Sequence, residues 1–219
     1  MKKLLCTLAL VVGCYVPKGV EYAETSESAA DATRTIMISM DGYEVGGGTA
    51  WVVASGSDAT WYMTAGHVCD PEFTYSLVSR DGTKEPNIRV VKDDDTVDLC
   101  LLEGAPSKSP VMHLSHEEPS YGDWLSYVGS PDLSFGGGVA PVFHGQYTGL
   151  DTEMNLYAAS MPGYGGSSGS AVVNAKGEVI GVLVRGDARF PMLVYLVTLP
   201  DIRQFIEDAG HTSVTSQQV

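Results

Sequence analysis

The sequence predicts an all-β fold, either a sandwich or a pair of barrels, and three observations carry that prediction. Short β-rich runs recur along most of the chain. Turn residues separate them at spacings of about 8–12 residues, the rhythm of antiparallel sheet proteins. Only one stretch, near the C-terminus, has convincing helical periodicity. With 219 residues, 44% of them apolar, the chain is long enough for one sizeable domain or two closely fused small ones.

Thr35–Met40 is β-rich and stops at Asp41-Gly42. Thr49–Ser55 follows the triplet Gly46-Gly47-Gly48 and ends at Gly56-Ser57-Asp58, and Thr60–Thr64 is aromatic and β-branched. Ser76–Ser79 stops at Asp81-Gly82, Ile88–Val91 precedes the acidic run Asp93-Asp94-Asp95, and Asp98–Leu102 is short and apolar. The acidic run lacks the alternating ligand pattern of a calcium loop and reads as solvated loop. Leu125–Val128, Val139–Gln146, Leu156–Ala159, Ser170–Val173, Val179–Val184 and Met192–Thr198 continue the series, with a hairpin turn at Asn174–Gly177. Thr198 and Asp201 are spaced as a capping box; Ile202, Phe205, Ile206 and Ala209 then share a helical face that Gly210 terminates. Residues 210–219 are polar and are predicted to be a disordered tail.

Residues 1–13 read as a signal peptide, with Lys2 and Lys3 before an apolar run from Leu4 to Gly13 that is too short to span a bilayer stably. Val11-Val12-Gly13-Cys14 resembles the lipobox of bacterial lipoproteins, which implies an exported, cell-envelope protein whose membrane contact is a lipid on Cys14. A plain secretory leader cleaved before Thr25 is the alternative, giving a secreted or periplasmic protein. Residues 14–34 have no apolar periodicity and read as a flexible tether. The net charge of −14, becoming −16 after cleavage before Cys14, excludes a nucleic-acid partner and a basic lipid-binding patch. With Cys6 in the leader and Cys14 lipidated, Cys69 and Cys100 remain; an even remainder in an exported protein suggests a disulfide, against two buried free thiols.

The chemistry concentrates in Met161-Pro162-Gly163-Tyr164-Gly165-Gly166-Ser167-Ser168-Gly169-Ser170, with Ala171-Val172-Val173 anchoring it as a strand. A glycine-rich loop with a central serine can present a nucleophile beside backbone N–H donors. His67, in Thr64-Ala65-Gly66-His67-Val68, offers a base. Asp98 opens an otherwise apolar run, where a carboxylate is costly to bury unless something pairs with it, as an imidazole N–H would.

With these three motifs in the order His, Asp, Ser, the chain resembles the chymotrypsin-fold (trypsin-like) serine proteases over about residues 35–209. His67 and Asp98 are 31 residues apart, and Asp98 and Ser168 are 70 apart. The resemblance implies two six-stranded antiparallel β-barrels with a C-terminal α-helix. The N-terminal barrel would span about 35–116, and the C-terminal barrel with its helix about 117–209. It implies a serine endopeptidase acting on a protein or peptide substrate: Ser168 nucleophile, His67 general base, Asp98 its orienter, and the N–H groups of Gly166 and Ser168 the oxyanion hole. A Cys69–Cys100 disulfide would then tie base to orienter. Ser170 and the segment Gly177-Glu178-Val179-Ile180-Gly181-Val182 look closer to the bacterial glutamyl-endopeptidase and Deg-type branch, with no recognisable PDZ module after residue 209. Ser167 stands where pancreatic enzymes carry an Asp, so activation through a freed N-terminus is not expected.

The substrate pocket would be formed by Pro162 and Gly163 at its base and Val184, Arg185 and Gly186 along its wall. No carboxylate stands at Pro162, and Leu183 replaces a His of the glutamyl endopeptidases, so a small or medium apolar residue is expected before the scissile bond. No cofactor is implied, and His113, His116 and His144 have no metal-ligand pattern. Gly165-Gly166-Ser167-Ser168-Gly169 also fits the α/β-hydrolase elbow, but that fold needs a helix after the serine and a catalytic histidine downstream. A catalytically silent protease-like binding protein of the envelope is the main alternative, and a carbohydrate-binding sandwich a weaker one. Neither oligomeric state nor physiological substrate follows from the sequence.

Overall fold

In the computed structural model, which describes residues 27–218, a short helical segment over 27–32 (α1) leads into two closed antiparallel barrels of six strands each. The first contains β1 (Thr33–Met40), β2 (Tyr43–Ser55), β3 (Thr60–Ala65), β4 (Thr74–Val78), β5 (Lys84–Asp94) and β6 (Leu99–Gly104), closed in the order β1-β2-β3-β6-β5-β4. The second contains β7 (Trp124–Val128), β8 (Val142–Asp151), β9 (Leu156–Ser160), β10 (Ala171–Val173), β11 (Val179–Asp187) and β12 (Phe190–Val197), closed in the order β10-β11-β12-β9-β8-β7. All-β with two barrels and a C-terminal helix is the fold expected from the sequence.

Large apolar side chains are buried on both faces of the barrel strands. Trp51, Tyr62, Met63, Leu99, Leu101 and Leu102 are fully buried in the first, and Tyr127, Tyr157, Ile180 and Leu196 in the second. Burying a large apolar side chain contributes about 1.5–3 kcal/mol, so these layers supply the main drive to closure. Closure also removes the unpaired sheet edges that would recruit other chains. The segment between the barrels is hydrogen-bonded to both: Met112 N–H donates to Val52 C=O (3.0 Å), Ser115 N–H to Val179 C=O, and Val179 N–H to His113 C=O (both 2.8 Å).

After β12, helix α2 (Leu199–Ala209) is capped as predicted. Asp201 N–H donates to Thr198 Oγ1, and Gly210 stops the helix at φ 66°. Leu199, Ile202, Phe205 and Ile206 bury its apolar face.

Three readings of the sequence need correction. The polar end is not a disordered tail: α3 (Thr212–Gln218) buries Val214 and Gln218. Gln218 Nε2 donates to Val53 and Met112 C=O, and its Oε1 accepts from Leu114 N–H at 2.9 Å. Gln217 bonds both backbone groups of Ser55. The tether also ends early, since 27–32 is helical and β1 begins at Thr33. Finally, Asp93 and Asp94 are strand residues of β5, paired with Cys100 and Leu99. The signal peptide, Cys14 and the rest of the tether lie outside the described residues. Among the described residues, no helix is long and apolar enough to cross a membrane.

Gln218→Ala would leave buried backbone groups of Leu114, Val53 and Met112 without partners. A stability loss of about 1–3 kcal/mol is expected, read by denaturant unfolding.

Candidate active site

Sheet register creates the first half of the site. β3 and β6 pair Thr64 with Cys100 and Ala65 with Leu99, so the residues following β3 meet those preceding β6. The chain leaves β3 through a single 3-10 turn, Gly66–Val68, which carries His67. Asp98 is the last residue of the turn before β6, held at φ 57°. The His67 backbone N–H donates to Asp98 Oδ1 at 2.8 Å, and ring Nδ1 lies 3.0 Å from both carboxylate oxygens. The carboxylate takes the Nδ1 proton as its partner, which leaves Nε2 of a neutral imidazole as the acceptor. Two residues beyond each partner, Cys69 and Cys100 form the expected disulfide, with Cα atoms 6.5 Å apart.

Burial pushes the Asp98 carboxyl up. The ring and backbone hydrogen bonds from His67, the imidazole charge and the Arg185 guanidinium outweigh it and hold the group below its ordinary value. Asp98 therefore remains an anion throughout the neutral range.

The second half comes from the other barrel. The loop before β10 is built around Gly166, whose φ of 88° is accessible to glycine without strain. A side chain there would also collide with the Ser130 carbonyl. The loop's hydrogen bonds follow a pattern: Ser167 N–H donates to Tyr164 C=O (3.0 Å), Ser170 N–H to Ser167 C=O (3.1 Å), and Gly169 N–H to Leu183 C=O (2.7 Å). Among the described residues, the N–H groups of Gly166 and Ser168 have no acceptor.

Thr49, at the start of the buried part of β2, meets this loop from the first barrel. Its N–H donates to Ser168 C=O and its hydroxyl to Gly166 C=O, both at 2.8 Å. Gly169, at φ 88°, sits so close to Thr49 O and Thr64 Oγ1 that a Cβ would overlap both, and its ideal position is 3.0 Å from Ala65 N. Ser168 is thereby set beside the turn that bears His67. The Ser168 hydroxyl makes no hydrogen bond to the ring among the described residues; such contacts are often long before substrate binds. Ser167 and Ser170 are fully buried, whereas Ser168 is partly exposed.

A cleft of about 590 Å³ opens beside His67 and Asp98, lined by Leu156, Val184 and Arg185 among others. A larger cavity of about 700 Å³ lies in the first barrel beside α1, among Arg34, Arg80 and Glu85, and holds none of these residues. The sequence-predicted pocket segments face each other, since a Cβ on Gly186 would lie 3.9 Å from Gly163 O. The Tyr127 hydroxyl donates to Pro162 C=O at 2.8 Å, and burial pushes that phenol up to about 12, so it stays a neutral donor. Arg185 is exposed, with Nη1 3.6 Å from Met154 Sδ. His113, His116 and His144 are exposed and away from this cleft's lining. Among the described residues, no group of His, Cys, Asp and Glu is arranged to hold a metal ion.

Sequence reasoning missed Thr49 and Ser130. The one available signal for Thr49 was its place directly after the glycine triplet Gly46-Gly47-Gly48.

This double barrel, with a His–Asp pair on one barrel and a glycine-serine loop on the other, has the architecture of a chymotrypsin-like protease. The chain belongs to the family of trypsin-like peptidase domains, whose sequence profile matches residues 48–182 and so spans His67, Asp98 and Ser168. In fold it is similar to the crystal structure of a serine endoprotease from Yersinia pestis, at a TM-score of 0.74 and 18% identity over 86% of this chain. The chain spans 66% of the length of that structure. No curated protein sequence matches it.

Removing the disulfide by Cys69→Ala with Cys100→Ala is expected to cost about 2–4 kcal/mol in unfolding free energy. Because the folded Asp98 is more acidic than an unfolded Asp, its ionisation stabilises the fold above the unfolded value of about 3.9. That contribution disappears as pH falls through the lowered folded value. The stability difference between the wild type and Asp98→Asn, measured by urea unfolding, should therefore shrink as pH drops below about 4.

Proposed function

We propose that this chain is a serine endopeptidase that hydrolyses peptide bonds through His67, Asp98 and Ser168 and an acyl-enzyme intermediate. The observation that carries this reading is the pair of N–H donors without acceptors, on Gly166 and Ser168, beside the His67–Asp98 pair. Unpaired backbone amides beside a serine hydroxyl and a His–Asp pair are what a developing oxyanion requires.

In this mechanism Ser168 Oγ attacks the scissile carbonyl carbon while His67 Nε2 takes its proton. The carbonyl oxygen becomes anionic and is received by the N–H groups of Gly166 and Ser168. Collapse of the tetrahedral species breaks the C–N bond, and the imidazolium gives its proton to the leaving amine. Water, deprotonated by the same imidazole, then attacks the ester; the C–O bond to Ser168 breaks and the imidazolium returns its proton to Ser168 Oγ. Asp98 accepts from Nδ1–H, fixing the tautomer and stabilising the imidazolium without taking the proton.

Gly163 and Gly186 approach each other closely, and Val194, fully buried, stands where a side chain on Gly163 would lie. With no carboxylate among Pro162, Gly163, Val184, Arg185 and Gly186, the favoured residue before the scissile bond is small or medium and apolar. Ser170 and the segment after the nucleophile favour the glutamyl-endopeptidase and Deg-type branch. An envelope location, with lipid on Cys14, is supported by the leader-like residues 1–13 and by the disulfide, which persists in oxidising compartments.

Fluorophosphonate labelling tests the function. Wild-type protein should label, and Ser168→Ala should not; folded wild type that fails to label would leave a silent binding protein instead. On a panel of short peptides, cleavage is expected after Ala, Val or Leu. Preferred cleavage after Lys, Arg or Glu would sink the proposed specificity.

A further inference from the structure

We propose that Thr49 is a positioning residue that locks the oxyanion-binding peptide in its donating orientation, an inference that rests on the serine-peptidase reading above. The N–H of Gly166 belongs to the Gly165–Gly166 peptide, and in a trans peptide it points opposite to the Gly165 carbonyl. That carbonyl is turned away from the cleft onto Asp132 N–H, at 2.8 Å. The next carbonyl, of Gly166, is held by Thr49 Oγ1, also at 2.8 Å. A glycine between two peptides could otherwise let either one rotate, because no Cβ resists the change in φ. Rotation of the Gly165–Gly166 peptide would present a carbonyl oxygen to the oxyanion and abolish its stabilisation. With the carbonyls on both sides of Gly166 anchored, that rotation is blocked.

The Thr49 hydroxyl is suited to this task because it has no freedom of its own. It accepts from Ser130 N–H at 3.0 Å, so its single hydrogen is committed to Gly166 C=O. The residue is completely buried. Its backbone N–H acts on the same segment, holding Ser168 C=O, while its C=O accepts from Thr64 Oγ1 of β3, each at 2.8 Å. One residue of the first barrel therefore grips both ends of Gly166–Ser168, the stretch of the second barrel that bears both oxyanion donors.

The test compares Thr49→Val, which keeps the shape and loses the hydroxyl, with Thr49→Ser, which keeps the hydroxyl. Thr60→Val serves as a control, since Thr60 is another fully buried, hydrogen-bonded threonine in the first barrel, away from the cleft. Steady-state kinetics on the best peptide and affinity for a peptide aldehyde, which forms an oxyanion on Ser168, are measured alongside thermal unfolding.

Thr49→Val is expected to lower kcat by about 10- to 100-fold with KM within about twofold of wild type. Aldehyde affinity should fall by a similar factor. Thr49→Ser should retain kcat to within about threefold, and Thr60→Val should lose stability but not kcat. A folded Thr49→Val with kcat within about twofold of wild type overturns the proposal, as does an equal kcat loss in Thr60→Val. Should Thr49→Val fail to fold, Thr49→Cys decides: its weak S–H donor predicts a reduced kcat, and wild-type kcat overturns the idea. Wild-type protein that resists fluorophosphonate labelling would instead overturn the serine-peptidase reading itself.

Discussion

The Thr35 hydroxyl donates to that of Ser130, Ser130 N–H donates to the Thr49 hydroxyl, and Thr49 donates to the Gly166 carbonyl, all within 3.0 Å. This chain of bonds starts in β1 of the first barrel, crosses to the segment after β7 of the second, returns to β2, and ends in the glycine-serine loop. Thr35, Ser130 and Thr49 are each at most 1% exposed, so none can substitute water for its partner. In such surroundings each unmade hydrogen bond costs about 1–3 kcal/mol, and a fully satisfied network tolerates few alternative arrangements. The contacts that dock the barrels are therefore the same contacts that shape the loop between them.

Closed barrels are stiff, and the site uses that stiffness to hold unusual backbone. Asp98, Asp132 and Leu133 have φ of 57°, 46° and 59°, where a non-glycine residue is uncommon. Such conformations persist only where surrounding contacts over-determine them. Asp98 is secured by bonds from the His67 backbone and ring and by the disulfide two residues away at Cys100. Asp132 is secured by its own N–H, which holds the Gly165 carbonyl. Asp98 and Asp132 thus each orient a group with a proposed role in the reaction.

Charge adds a local contrast. The chain is strongly acidic, yet Arg185 reaches the cleft and helps keep the Asp98 carboxyl ionised. Bulk acidity reports solubility, whereas the balance at one carboxylate depends on which side chains the fold brings beside it.

Much of the architecture was legible in the residues alone. Each of the twelve strands overlaps an apolar or β-branched run between turn signals, because strand propensity and turn chemistry are local properties. The α2 cap at Thr198 and its stop at Gly210 were readable for the same reason. His67, Asp98 and the Gly-Ser loop stood out because each carries local chemistry within a short motif. Three features were decided only by tertiary contact. Gln217 and Gln218 turn a polar tail into a docked helix through bonds to residues more than 100 positions away. Asp93 and Asp94 extend β5 because β6 supplies their partners. Thr49 acquires its place at the oxyanion loop from a segment 117 residues distant in the chain. A sequence displays what a residue can donate or accept, but a buried partner is assigned only when the barrels close and exclude water.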